Sequence, residues 1–158
     1  MPDTAIDLDR EASILLASCR TASLASVDEQ GHPHAANIQY AFDNQLRLYF
    51  VSSPETAHSR HIQRCPQVAV TVYDHHDEEP AVIRGLQLHA LAHSIDDPVE
   101  RASALTLYSA RFPFVTTDPA MGEAVERQRF YRLTPLWMRL IDNRRGFGWK
   151  MEKDLSGK

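Results

Sequence analysis

The chain is short of most of the devices that betray a function at first sight. Only two of its 158 residues are cysteine, Cys19 and Cys65, far apart and in no C-x-x-C pattern. Neither a disulfide framework nor a zinc knuckle is therefore indicated. Glycine is scarce, at six residues, and no G-x-G-x-x-G follows a strand pattern. That counts against a doubly wound dinucleotide-binding fold. A net charge of −4 and the lack of a long basic run leave no positive footprint for nucleic acid. No apolar run approaches the roughly 18 residues that would mark a membrane span. The acids scattered between Met1 and Arg20 exclude the apolar centre of a signal peptide. The cytoplasm is the expected compartment, with neither nucleic acid nor membrane as partner.

What is present is ordinary in bulk, at 43% hydrophobic and 24% charged residues, and large enough for a real core. One domain is expected over residues 1–152, followed by a flexible tail over 153–158. Leu8, Ala12, Leu15, Leu16 and Cys19 recur at helical spacing, with Asp3 or Thr4 available as a cap. Strands are predicted over Thr21–Val27, His34–Phe42, Leu46–Ser52, Gln67–Tyr73, Ala81–Ile95 and Phe130–Ile141. Gly85 is expected to mark a bend or bulge, and Pro135 a bulge or an edge position. Asp97-Pro98 and Asp118-Pro119 each place a capping acid before a proline, which starts helices to about Ala110 and Arg127. Six strands joined mainly by hairpins predict a six-stranded antiparallel β-barrel of the α+β kind, flanked by short helices.

The stretch from Leu48 to Ile62 carries the most chemistry. An apolar strand runs into Ser53-Pro54, which reads as an N-cap followed by a proline in the first helical turn. Hydroxyls at Ser52, Ser53 and Thr56, with His58 and Arg60, then surround a helix N-terminus. Such a terminus favours anions through its unpaired N–H groups and its dipole. Two readings stand at this point: a plain cap with solvated basic groups, or a phosphate site.

The order of elements and three local motifs resemble the pyridoxamine 5′-phosphate oxidase-like FMN-binding split barrels. The motifs are Tyr49-Phe50-Val51-Ser52-Ser53-Pro54-Glu55-Thr56-Ala57-His58-Ser59-Arg60, then Ile83-Arg84-Gly85-Leu86-Gln87-Leu88, and finally Ile141-Asp142-Asn143-Arg144-Arg145-Gly146-Phe147-Gly148-Trp149-Lys150. The resemblance spans Thr21 to Met151. It implies a six-stranded split barrel that pairs as a homodimer with FMN at the subunit interface. It also implies that Ser52, Ser53, Thr56, His58 and Arg60 hold the flavin phosphate. Three departures separate this chain from the oxidases proper. His58 aligns with their phosphate-binding lysine, a basic residue of their second strand falls among Ala35, Ala36 and Asn37, and a fifth-strand glycine aligns with Ala90. The loss of permanent charge counts against oxidation of pyridoxamine phosphate itself.

Four further residues are candidates for the cofactor. Arg84 and Gln87, three apart on a strand, face opposite sides of the sheet, so one can reach a groove while the other faces solvent or a partner. The Gln87 amide both donates and accepts, which suits the polar edge of a flavin ring. Trp149 offers a stacking plane and Lys150 a mobile charge after the permissive Gly146-Phe147-Gly148 turn. Trp137 is expected in the core or a dimer interface. His58 with His61, and His75-His76 beside Asp74 and Asp77, lack the partners of a metal motif, so no metal is expected. No triad, carboxylate pair or activated cysteine stands out, and the catalytic residues stay unassigned. The expected function is a flavin-dependent oxidoreductase acting on a small cytosolic molecule. FMN is the expected cofactor, with a deazaflavin or haem as alternatives. The rival is a non-catalytic flavin- or haem-binding carrier or sensor.

Overall fold

The computed structural model describes residues 6–74 and 82–157. Eight strands form one antiparallel sheet: β1 (Thr21–Val27), β2 (Pro33–Gln39), β3 (Ala41–Phe42), β4 (Leu48–Ser52), β5 (Gln67–Asp74), β6 (Arg84–Ser94), β7 (Arg129–Asp142) and β8 (Lys150–Asp154). The hydrogen-bonded order is β2-β1-β5-β6-β7-β4-β3, with β8 added to β7. The two ends of that order, β2 and β3, are consecutive in the chain and separated by Tyr40 alone. A sheet whose end strands share one linking residue has to curl until those ends meet. The Tyr40 side chain is fully buried at this seam, and its hydroxyl donates to the carbonyls of Leu16 and Cys19.

The inner face follows the two-residue period of the strands. Leu24, Val68, Val70, Val72, Leu86, Leu88, Leu133, Met138 and Leu140 all belong to one buried cluster. On β7 the inward phase changes along the strand: Tyr131, Leu133 and Pro135 are buried before the change, and Met138, Leu140 and Asp142 after it. The cause is one extra residue, Leu136, because His89 pairs with Trp137 while Ala90 pairs with Pro135. A bulge shifts side-chain parity by one. Pro135 thus marks the bulge as expected. Gly85 does not, since it pairs with Tyr73 and Ile141 in unbroken register. Its place is explained by packing, as a Cβ there would lie 3.2 Å from the Val72 carbonyl oxygen.

Two helices close the two mouths of the curled sheet. Helix α1 (Leu8–Ser18) lies across the mouth that holds Arg84, which bonds Glu11 at 3.0 Å. Its cap is Asp7, which accepts from the Arg10 N–H, rather than Asp3 or Thr4, which lie outside the described residues. Helix α2 (Ala57–Arg64) covers the opposite mouth, where His61 Nδ1 lies 2.9 Å from the Oγ of buried Ser26. Between β6 and β7 the chain makes α3 (Pro98–Arg111), α4 (Phe114–Thr117) and α5 (Pro119–Arg127). These three pack a second core, with Tyr108, Phe112, Val115 and Val125 over Tyr49 and Phe130 on the outer side of β4 and β7. No helix among the described residues is long and apolar enough to cross a membrane.

Several expected boundaries move. The predicted strand His34–Phe42 is broken at Tyr40 into β2 and β3, and six strands become eight. Lys153 and Asp154, expected in the tail, pair with Met138 and Trp137 in β8, and Leu155 beyond them is buried. Alternating charges had hidden that strand: Lys150, Glu152 and Asp154 lie on its exposed face.

Candidate functional site

The corner between β4 and α2 is built differently from the plain cap-plus-proline reading. Pro54 and Glu55 form a turn, closed by the Thr56 N–H on the Ser53 carbonyl at 3.2 Å. The helix starts three residues later, at Ala57, and its cap is Thr56, which accepts from the Ser59 N–H. Ser53 instead accepts from the Glu55 N–H at 3.2 Å, which sets the turn and not the helix.

The delay gathers the hydroxyls. Ser52 Oγ lies 3.1 Å from Thr56 Oγ1 and 2.8 Å from His58 Nε2, and Thr56 Oγ1 donates to Ser59 Oγ at 2.8 Å. The N–H groups of Ala57 and His58, first in the helix, have no partner among the described residues, as expected of a first turn. The corner thus presents two free backbone donors, linked hydroxyls and an imidazole. Arg60 points along the same turn and donates to the Glu55 carbonyl at 2.9 Å. Burial, and secondarily the neighbouring His61, hold the His58 imidazole below its ordinary pKa, so it is neutral near pH 7. The fixed charge that a lysine would supply here is absent, and a proton on His58 is what could replace it.

The other sequence candidates lie elsewhere. Arg84 faces inward, 6% exposed, among Glu11, Asp74 and Asp142 at the α1 mouth, at 3.0, 3.6 and 3.7 Å. Trp149 packs at that same mouth, beneath the guanidinium of Arg145 at 5.3 Å. Lys150 is exposed beside it, paired with Ile141. The preceding turn depends on its glycines, since Gly146 and Gly148 have φ of 133° and 73°, and it leaves Phe147 fully exposed. Gln87 faces outward, as the opposite-face argument requires, and accepts from Arg139 at 3.3 Å. Ser52 pairs with Arg129 at one end of β7, and Arg84 with Asp142 at the other. The two groups are thus separated by roughly 40 Å of strand. One chain does not bring them together.

Sequence reasoning missed Arg129. It is the cross-strand partner of Ser52, exposed, and in no ion pair among the described residues. Only the strand pairing reveals it, because the two residues lie 77 positions apart in the chain. Cys19 offers no activated thiol: burial pushes its pKa up, and its sulfur donates to the Tyr73 carbonyl. No group of three or more metal-ligating side chains occurs among the described residues, and His75, His76 and Asp77 lie outside them.

The pyridoxamine 5′-phosphate oxidase family model matches residues 8–142, from the first helix to the end of β7. The chain belongs to that family. No curated protein matches it. Among solved structures, a haem-binding protein from Mycobacterium smegmatis superposes with a TM-score of 0.77 at 17% identity, over 92% of this chain and 57% of that one. A protein of unknown function from Agrobacterium tumefaciens gives 0.70 at 24%, over 84% and 55%. The haem storage protein of Vibrio cholerae gives 0.67 at 19%, over 82% and 91%. The chain therefore spans little more than half the length of the first two. At these identities the likeness is one of fold, the antiparallel split barrel.

Proposed function

We propose that the β4–α2 corner binds the phosphate of FMN and that the chain works as a flavin-dependent oxidoreductase on a small molecule. The observation that carries this reading is the ring of Ser52, Thr56 and His58 around two unpaired N–H groups. A phosphate offers acceptors to the Ser52 hydroxyl, to a protonated His58 and to both N–H groups, and the helix dipole favours its charge. Family membership supports the same corner. When bound, the flavin supplies the electron transfer, and the chain supplies binding, orientation and charge. Ser52 and the N–H groups of Ala57 and His58 would donate to phosphate oxygens, Thr56 would hold the helix start that presents them, and His58 would hold a proton against them.

The separation of the two residue groups supports a homodimer. Gln87, Trp149 and Lys150 can reach a flavin held at the α2 mouth only from a second copy of the chain. The outer sheet face offers an apolar surface for that copy, where Ala25, Val27, Pro33, Ala69, Leu136 and Trp137 line a shallow depression. Paired subunits also cover strand edges that would otherwise invite aggregation.

The deciding experiment compares FMN with riboflavin. Replacing Ser52 and His58 together by alanine removes two contacts to a charged group, each worth about 1.5–3 kcal/mol. FMN affinity should fall on the order of a hundredfold or more while riboflavin affinity changes little. Equal losses for both flavins would refute the phosphate assignment. Turnover with a reduced nicotinamide donor separates an enzyme from a carrier.

Haem is the second reading, because an exposed imidazole, His89, lies stacked 4.5 Å from Trp137 on the apolar outer face. Two proteins of the same fold are described as binding or storing haem. The absorbance spectrum of the purified protein distinguishes a flavin from a haem in one measurement.

A further inference from the structure

Helix α2 has two flanks, and only one faces the corner just described. His61 turns toward β1 and β2, bonding Ser26 and lying 4.7 Å from the His34 ring. Ser59, Ile62 and Gln63 instead line a groove of about 500 Å³ between α2 and the ends of β6 and β7. Its other walls include Ser94, Asp96, Arg129 and Tyr131.

Three side chains there have no protein partner among the described residues, one of them buried (Tyr131) and two on the exposed rim (Arg129 and Asp96). Tyr131 is 3% exposed, with its ring stacked on Phe50 at 5.0 Å. Its hydroxyl has no hydrogen-bond partner among the described residues, and the residue lines the groove. A tyrosine this deeply buried normally finds a partner for its hydroxyl. Arg129, two residues earlier, shares the inward face of β7, and its guanidinium makes no ion pair or hydrogen bond among the described residues. Asp96 is equally unpaired, with Arg129 beyond ion-pair distance although both line the groove.

We propose that this groove binds a small zwitterionic carboxylate of the α-amino acid class, with Arg129 and the Tyr131 hydroxyl holding the carboxylate and Asp96 the ammonium. A carboxylate has two oxygens that accept several donors, which matches a guanidinium fork plus a phenol. Asp96 disfavours a dianion such as phosphate and rewards a cation beside the carboxylate. The volume lies within the usual range for small-molecule sites and leaves room for a side chain against Ile62 and Pro66. The groove adjoins the flavin corner, since Arg129 pairs with Ser52 across the strands and Ser59 lines one wall, but the side chains of Arg129, Tyr131 and Asp96 make no hydrogen bond to Ser52, Thr56 or His58.

The test is calorimetric titration of the purified full chain with the common L-α-amino acids one at a time, with their deaminated carboxylates, and with inorganic phosphate. At least one amino acid should bind, with its deaminated counterpart and phosphate each weaker by about tenfold or more. Tyr131→Phe keeps the ring against Phe50 and should weaken the amino acid about tenfold or more, as should Arg129→Gln on the exposed rim. Asp96→Asn should abolish the preference over the deaminated acid. The two rim variants remain informative if Tyr131→Phe fails to fold, which circular dichroism reports. The proposal is overturned if no amino acid binds the wild type, if phosphate binds as tightly, or if Arg129→Gln and Asp96→Asn leave both affinity and preference unchanged.

Discussion

Ser52 Oγ and His58 Nε2 lie 2.8 Å apart, which ties the last residue of β4 to the first turn of α2. With the imidazole neutral, the hydroxyl and the ring share one proton between them, and an arriving anion competes for it.

That relationship makes ligand binding proton-linked. His58 in the free protein titrates below 6.5, for the reasons of burial and His61 given above. A bound phosphate favours the imidazolium and raises the pKa. FMN affinity should be highest below the free-protein pKa, fall as pH rises toward the bound-state pKa, and level off above it. The phosphate itself titrates near pH 6, so part of the acid-side change belongs to the ligand. His58→Lys should hold FMN better at mildly alkaline pH and lose the slope. Identical pH profiles for wild type and variant, measured by flavin titration, would remove His58 from the site. Folding stability runs the other way. A histidine with a depressed folded pKa contributes most above 6.5 and less as pH falls toward that pKa.

The shifted helix start gives a second expectation. Thr56→Ala should cost about 1 kcal/mol of stability, because it removes the α2 cap, whereas Ser53→Ala should cost only a few tenths. Urea unfolding of the two variants measures the difference. A larger loss at Ser53 would restore the cap to that residue.

Arg84 belongs to stability rather than to the site of its own chain. Removing one partner from a buried ion cluster typically costs about 3–5 kcal/mol, so Arg84→Ala should unfold at much lower denaturant. A stable Arg84→Ala protein with weakened flavin binding would instead return Arg84 to the cofactor.

Asp142, in that same cluster, should shape the acid limb of unfolding. Hydrogen bonding from Arg144 is the chief cause that holds its carboxyl below the ordinary value, with Arg84 adding to it. Its stabilising contribution is therefore full above the unfolded pKa of about 4 and is lost as pH falls through the folded value. Asp142→Asn should be less stable near neutral pH and show a shallower decline in acid. An unchanged acid limb would mean that other carboxylates govern it.

If a second copy completes the site, light scattering should return a dimer mass at micromolar concentration with FMN present. Trp137→Glu on the outer face should shift it toward monomer and lower flavin affinity together. A monomer that still binds FMN fully would end the two-chain reading.

Much of this protein is local and was legible in the chain itself. Alternation at Val68, Val70 and Val72, the Asp-Pro starts of α3 and α5, and the proline at the β7 bulge all act within a few residues. The hydroxyl-rich corner after β4 is equally local, so its residues could be named before its geometry was known. Three things were decided only by the tertiary structure. Which residue caps α2 depended on the turn at Pro54-Glu55, a competition between two local solutions that the packing of His61 against Ser26 and of Ile62 into the core resolves. The fate of Arg84 depended on its strand partner Asp74 and on Glu11 and Asp142, the last two far from it in the chain. The pairing of Ser52 with Arg129, and the distance from both to Trp149, depended on strand order. Sequence fixes a strand's period through the pleat, whereas its neighbours are chosen by the burial of the whole sheet, and no short window of residues carries that information.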